Sequence, residues 1–170
     1  PQLLHSEDAK KGDVFFLPAG RVHAIGKGML LAEIQQTSDV TYRIFDWNRV
    51  DQHGNSRDLH VDLAMDVIDY EAKDSYKTPY ADKINETAKL VTCPYFQINY
   101  MKFDSAVEKD YYAIDSFVVY MCLEGSATIN FGGNYEEQIV KGETVLIPAE
   151  LHKIIVTPKG ETQLLEIYIP

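Results

Sequence analysis

Apolar and polar positions alternate along this chain in short runs that close on glycine or proline. Tyr95–Phe103, Phe117–Leu123, Ala127–Phe131, Glu143–Ile147, Lys153–Val156 and Gln163–Ile169 read as strands, separated by Gly125, Gly132-Gly133, Gly142 and Gly160. Nearer the start, Val14–Leu17 is a short apolar run ending at Pro18. Met29–Gln36 and Val40–Trp47 read as a hairpin joined by the polar turn Thr37-Ser38-Asp39. Many short strands with glycine turns predict a sandwich or barrel. One segment has a different period. Leu59, Leu63 and Val67 recur every four residues with Ala64 and Ile68 beside them, which predicts a helix over 59–68 with Asp58 as its N-cap. From Asp69 to Lys89 the chain is polar and contains Pro79, so it reads as a linker. The expected domains are therefore residues 1–90 and 91–170.

A repeat underlies the pattern. Gly12-Asp13-Val14-Phe15-Phe16-Leu17-Pro18-Ala19-Gly20-Arg21-Val22-His23 recurs as Gly142-Glu143-Thr144-Val145-Leu146-Ile147-Pro148-Ala149-Glu150-Leu151-His152. Both copies run Lys-Gly-acid, a four-residue apolar strand, Pro-Ala, a tight turn and a histidine. Two similar β units follow, the first without its early strands. Because the chain starts at Pro1 and soon enters the first copy, it is expected to be part of a longer polypeptide.

The chemistry of the first copy is readable. Gly12 makes the turn into the strand, and Pro18 ends it with a fixed φ. Gly20 permits a tight turn that a Cβ would hinder. His23 would then begin the next strand and offer a ring nitrogen to a metal inside the barrel. In the second copy Glu150 replaces the glycine and the turn is one residue shorter. The strand pair before it holds no histidine, so His152 is expected to be structural. In the early hairpin, a turn centred on Ser38 pairs Arg43 with Glu33 and Thr41 with Gln35. Paired residues share a face, so Glu33, Gln35, Thr41 and Arg43 would line one polar surface. That surface is either a wet, functional interior or the solvent face. His60 opens the predicted helix and reads as structural or surface; His5 and His53 lie in loops.

Composition adds limits. The net charge is −10, from 16 basic and 26 acidic residues. This argues against nucleic acid or an anionic membrane as a partner, but one local Arg or Lys can still bind a phosphate. Cys93 and Cys122 sit in apolar contexts and read as buried thiols of a reducing, cytoplasmic compartment. No apolar run approaches the roughly 18 residues of a membrane span.

The Gly12-x5-Pro18-x-Gly20-x2-His23 frame resembles the second motif of the cupin superfamily. Phe15–Ala24, Glu33–Trp47 and Arg57-Asp58-Leu59-His60 resemble the type I mannose-6-phosphate isomerases of the short bacterial branch, and the likeness extends over nearly the whole chain. It implies an all-β fold of cupin-type jelly rolls (double-stranded β-helices). A partial first cupin would be followed by one short helix and a complete, degenerate second cupin. It implies a divalent metal, usually zinc, held by two His, a Glu and often a Gln. By motif position His23 is the last of these ligands; the others, with a Lys, would lie upstream of Pro1. Arg43 matches the family's active-site arginine, and Glu33, Gln35 and Thr41 are candidate substrate-binding residues. The implied reaction interconverts mannose 6-phosphate and fructose 6-phosphate through a cis-enediol, with a phosphorylated hexose as partner. Two alternatives stand beside it. An iron dioxygenase cupin shares only the Gly-Pro-Gly-His frame. A non-catalytic sugar-binding or structural cupin fits the chain taken alone, because one His cannot hold a catalytic metal tightly. Exposed edges of an open half-barrel would also offer pairing to a second copy, a homo-oligomer.

Overall fold

The computed structural model describes residues 4–38 and 40–170. Pro1, and Asp39 of the expected hairpin turn, lie outside the described residues. The chain divides into two units, one of residues up to Val14 with Lys77–Pro170, the other Phe15–Tyr76.

The first unit is a β barrel of two antiparallel sheets. In chain order its strands are β1 (Glu86–Thr92), β2 (Gln97–Phe103), β3 (Val107–Asp110), β4 (Val118–Glu124), β5 (Ser126–Asn130), β6 (Glu136–Val140), β7 (Thr144–Ile147), β8 (Lys153–Pro158) and β9 (Thr162–Tyr168). One sheet has the order β1-β2-β9-β4-β7, the other β3-β8-β5-β6. Alternation decides which side chains face inward. Val118, Tyr120 and Cys122 of β4 are buried while Val119 and Met121 are less so, and Ala127 and Ile129 of β5 follow the same rule. These side chains meet Ile139, Ile154, Val156 and Leu164 in one core drawn from both sheets. This is the expected complete jelly roll.

The sequence reading misses β1, β3 and β6, and each is a sheet edge. Edge strands carry charge because they have a partner on one side only. Glu86, Lys89, Glu108, Lys109, Glu136 and Glu137 therefore hide the strand pattern. β1 also crosses the boundary expected at residue 90 and pairs with β2 from Glu86 to Thr92.

In the second unit, no residue from Met29 to Gln36, or of the described residues from Val40 to Trp47, lies in a strand. The expected hairpin is not formed. A lone two-stranded ribbon is marginal in water, and the described residues of this unit supply no third strand. Leu30, Val40, Tyr42, Phe45 and Trp47 are accordingly exposed. The helix exists but is short: α1 runs Val61–Met65. Its N-cap is His60, not Asp58, and His60 makes no side-chain cap. Its last turn tightens, with the Val67 amide donating to the Ala64 carbonyl three residues back. The Asp69 amide then donates to the Gly20 carbonyl at 2.9 Å instead of continuing the helix.

Candidate functional site

The two sequence repeats fold into the same turns. Asp13 N–H donates to the Lys10 carbonyl at 3.0 Å, and Glu143 N–H to the Val140 carbonyl at 2.9 Å. In each, the glycine between them has positive φ, +90° at Gly12 and +88° at Gly142. The acidic side chains close the turns identically, Asp13 accepting from Lys10 N–H and Glu143 from Val140 N–H. Further on, Arg21 N–H donates to the Pro18 carbonyl and Leu151 N–H to the Pro148 carbonyl. The copies differ between the turns, where Thr144–Ile147 forms β7 while Val14–Leu17 forms no strand, and again at the histidines.

In the first copy Gly20 adopts φ +85°, and a Cβ there would overlap the Val67 carbonyl oxygen. Arg21 donates from Nη2 to Asp69 Oδ2 at 2.6 Å, and its side chain is only 9% exposed. Its guanidinium lies 5.2 Å from the centre of the Tyr76 ring. The Arg21 hydrogen bond, helped by the Glu71 amide, holds the Asp69 carboxyl below its usual range. His23 is exposed and lies outside any strand. It is not aimed into a sheet-lined interior as expected, because the strand that would have carried it is not formed. Its Nδ1 lies 2.9 Å from the Arg21 carbonyl oxygen. A carbonyl can only accept, so this contact needs the proton on Nδ1, and in the neutral ring that leaves the lone pair on Nε2.

Arg43 is half-buried and tied to His60 on both backbone sides. Its N–H donates to His60 Nδ1 at 3.1 Å, and its carbonyl accepts from His60 N–H at 2.7 Å. The guanidinium donates to the Asp58 carbonyl at 3.2 Å. Asp46 pairs with Arg57 through two bonds, one of 2.7 Å from Nε and a shorter one from Nη2. The Arg57 bonds hold the Asp46 carboxyl below its usual range, with added charge from Arg43 and Arg49. Arg57 thus binds this carboxylate directly, while the Arg43 guanidinium is directed to the Asp58 carbonyl. A shallow pocket opens between the turn that carries Asp46 and Arg49 and the segment that carries Ser56 and Arg57. The turn is unusual, since Trp47 and Asn48 both have positive φ, 55° and 54°. Backbone held in that region is strained for a bulky residue.

Glu33, Gln35 and Thr41 lie on exposed, irregular backbone and form no shared face with Arg43. Arg49 and Arg57 are the functional candidates that the sequence reading passes over. Their signal is compositional: Arg21, Arg43, Arg49 and Arg57 are the chain's arginines, and all fall between positions 21 and 57. Elsewhere the chain uses lysine for its positive charge.

The barrel's interior holds a different cluster. Register places Asn99, Glu166 and Tyr120 side by side on three neighbouring strands. Glu166, 3% exposed, accepts from Lys109 Nζ at 2.8 Å. It also accepts from the Tyr111 hydroxyl at 2.6 Å and from Asn99 Nδ2 at 2.7 Å. Tyr111 and Tyr120 hydroxyls lie 2.5 Å apart. Burial, then the Tyr120 and Glu166 charges, pushes the Tyr111 phenol far above its ordinary range. His152 stacks on Tyr112 at 4.5 Å and has no metal-binding company. Among the described residues no group of three or more His, Cys, Asp or Glu side chains could hold a metal ion.

The jelly roll and its repeated motif define a cupin-fold protein. The solved mannose 6-phosphate isomerase of Bacillus subtilis has a similar fold, with TM-score 0.63 and 24% identity over 78% of this chain and 41% of that one. No family model matches the chain. It is 34% identical over 149 residues to the mannose-6-phosphate isomerase ManA of Bacillus subtilis, covering 86% of this chain and 46% of that protein. It is 33% identical over 148 residues to the mannose-6-phosphate isomerase of Streptococcus mutans, covering 86% and 46%. The chain is a homologue of the mannose-6-phosphate isomerases, and it spans about half the length of the curated relatives it matches.

Proposed function

We propose that this chain carries the arginine-lined part of a mannose-6-phosphate isomerase, and that a phosphorylated hexose is its substrate. The observation that carries the reading is the pocket lined by Asp46, Arg49 and Arg57, in the stretch from 21 to 57 that holds all the chain's arginines, Arg43 among them. Asp46 neutralises one guanidinium, Arg57, through two hydrogen bonds. The surplus is positive, in a chain of net charge −10. Guanidinium groups match the fork of phosphate or carboxylate oxygens, so a local surplus of this kind suits an anionic sugar.

In this reading a proton leaves C2 of mannose 6-phosphate, or C1 of fructose 6-phosphate, and returns to the other carbon through a cis-enediol. Arg43 stabilises an anionic oxygen of the enediolate or of the phosphate. His60 fixes the Arg43 backbone from both sides, and Asp58 directs its guanidinium. Glu33, Gln35 and Thr41 would approach the sugar hydroxyls. His23 suits a metal ligand because its Nδ1 is committed and its Nε2 is free to coordinate. A divalent ion, zinc in this proposal, would orient the substrate oxygens and offset developing negative charge. One histidine does not close such a site, and the other ligands are assigned to sequence beyond these 170 residues. Among the described residues no helix is long and apolar enough to cross a membrane, in keeping with a cytoplasmic sugar-phosphate enzyme.

The test is a coupled isomerase assay on the polypeptide extended to the relatives' length. Mannose 6-phosphate is expected to yield fructose 6-phosphate, and unphosphorylated mannose to turn over at least about tenfold less efficiently, given the binding lost with one charged contact. Equal efficiency for the two sugars would remove the phosphate from the reading. No turnover of mannose 6-phosphate by the metal-loaded protein would end it in favour of a non-catalytic sugar-binding cupin.

A further inference from the structure

The Arg21–Asp69 pair lies outside the chemistry described so far, yet the structure invests heavily in it. The Arg21 side chain is nearly buried. Its Nε is buried without a hydrogen-bond partner among the described residues. An orphaned guanidinium nitrogen is costly, and such costs persist where geometry is what the residue supplies. The geometry in question is that of the Arg21 peptide. Its N–H is fixed by the Pro18 carbonyl, and the preceding carbonyl, that of Gly20, is fixed by the Asp69 N–H. Its side chain is fixed by the Asp69 carboxylate and the Tyr76 ring. The next group along the backbone is the Arg21 carbonyl, whose oxygen lies 2.9 Å from His23 Nδ1.

We infer that Arg21 and Asp69 are positioning residues for His23. The ion pair and the fixed Gly20–Arg21 peptide together set the direction of the Arg21 carbonyl, which holds the imidazole as the Nδ1–H tautomer and leaves Nε2 as the available lone pair of the neutral ring. Asp69 thus acts on the histidine through two links, and never touches it. The inference rests on the reading of His23 as a ligand, and the two are separable by experiment.

The tautomer is directly readable from long-range proton–nitrogen correlations of the imidazole rings, in the 15N-labelled chain at about pH 8.5 where histidines are neutral. The His23 signals are assigned by their loss in His23→Gln. Wild type is expected to show His23 as Nδ1–H. His60, whose Nδ1 accepts the Arg43 amide proton, is expected to show the opposite form, Nε2–H, and serves as an internal reporter that the unit is folded. In Asp69→Asn the released His23 ring should move to a majority of Nε2–H while His60 is unchanged. Asp69→Glu, which restores a carboxylate, should recover part of the Nδ1–H form. Asp51→Ala removes the acceptor of two backbone bonds in a turn of the same unit and should leave His23 as in wild type. If Asp69→Asn also loses the His60 signature, Arg21→Met is read in its place, with the same expectation. A wild-type His23 in the Nε2–H form overturns the inference, as does an unchanged tautomer in the variant with His60 intact. Adding Co2+ to the same samples tests the ligand reading separately, since a paramagnetic ion broadens a ring it touches even at low affinity. Broadening at His23 supports that reading. Its absence, with the Asp69 dependence preserved, leaves the positioning device standing and removes the metal from its purpose.

Discussion

Glu166→Ala is expected to cost the barrel about 3–5 kcal/mol, the range for removing one partner of a buried ion pair. Glu166 is 3% exposed and sits opposite a Lys109 ammonium whose side chain is 13% exposed. Alanine would leave that ammonium without its carboxylate. It would also strip the Tyr111 hydroxyl and the Asn99 amide of their acceptor. These groups lie among Tyr120 and the core side chains, where water cannot replace the lost bonds cheaply. Lys109→Met removes the charge that needs compensation, so the double variant Glu166→Ala/Lys109→Met should cost less than the two single changes summed. The check is urea unfolding of all four proteins, read by circular dichroism. A Glu166→Ala barrel within about 0.5 kcal/mol of wild type, the range of an ordinary surface change, would show that the cluster contributes nothing to stability.

Arg43→Ala is expected to lower kcat/KM of the extended enzyme by roughly two to three orders of magnitude, at about 2–4 kcal/mol for a lost charge-assisted contact to a developing oxyanion. The structure supplies the reason for so large an effect. Arg43 has its backbone pinned by His60 on both sides and its guanidinium directed by the Asp58 carbonyl. A charge held in place loses little freedom when the substrate arrives. Arg43→Lys should recover only part, because an ammonium cannot reproduce the planar fork. Metal content should be unchanged in both, since Arg43 is no ligand. Near wild-type turnover in Arg43→Ala would place the anion on Arg49 or elsewhere and sink the assignment.

What could be read from the sequence follows from where the stabilising partners lie. The central strands β4, β5 and β8 show their alternation because both sides of each are paired and one face is buried, while β2 is buried on both faces. Edge strands such as Val107-Glu108-Lys109-Asp110 do not, and nothing in that charged run reports that the Lys109 ammonium turns inward to Glu166. The repeat was legible down to its turns, because glycine with positive φ and an acid closing on the residue three back leave a sequence trace. The hairpin of Met29–Trp47 was read from local pattern alone, and local pattern does not supply the neighbouring strands that a sheet requires. Asp58 failed as the helix cap because Arg43 takes the carbonyl of Asp58 while His60 takes up the Arg43 backbone. The contact of Asp69 with Arg21 joins residues 48 positions apart, and no periodicity reports a pairing of that kind.

The most direct test of the functional account compares His23→Ala with His152→Ala in the polypeptide of the relatives' length, measuring bound metal and mannose-6-phosphate turnover on the same preparations. The two histidines end matching motifs, so a general effect of disturbing the motif would strike both. The account predicts that His23→Ala loses metal and turnover together, while His152→Ala keeps both and loses only stability. Full metal stoichiometry and undiminished turnover in His23→Ala would contradict it.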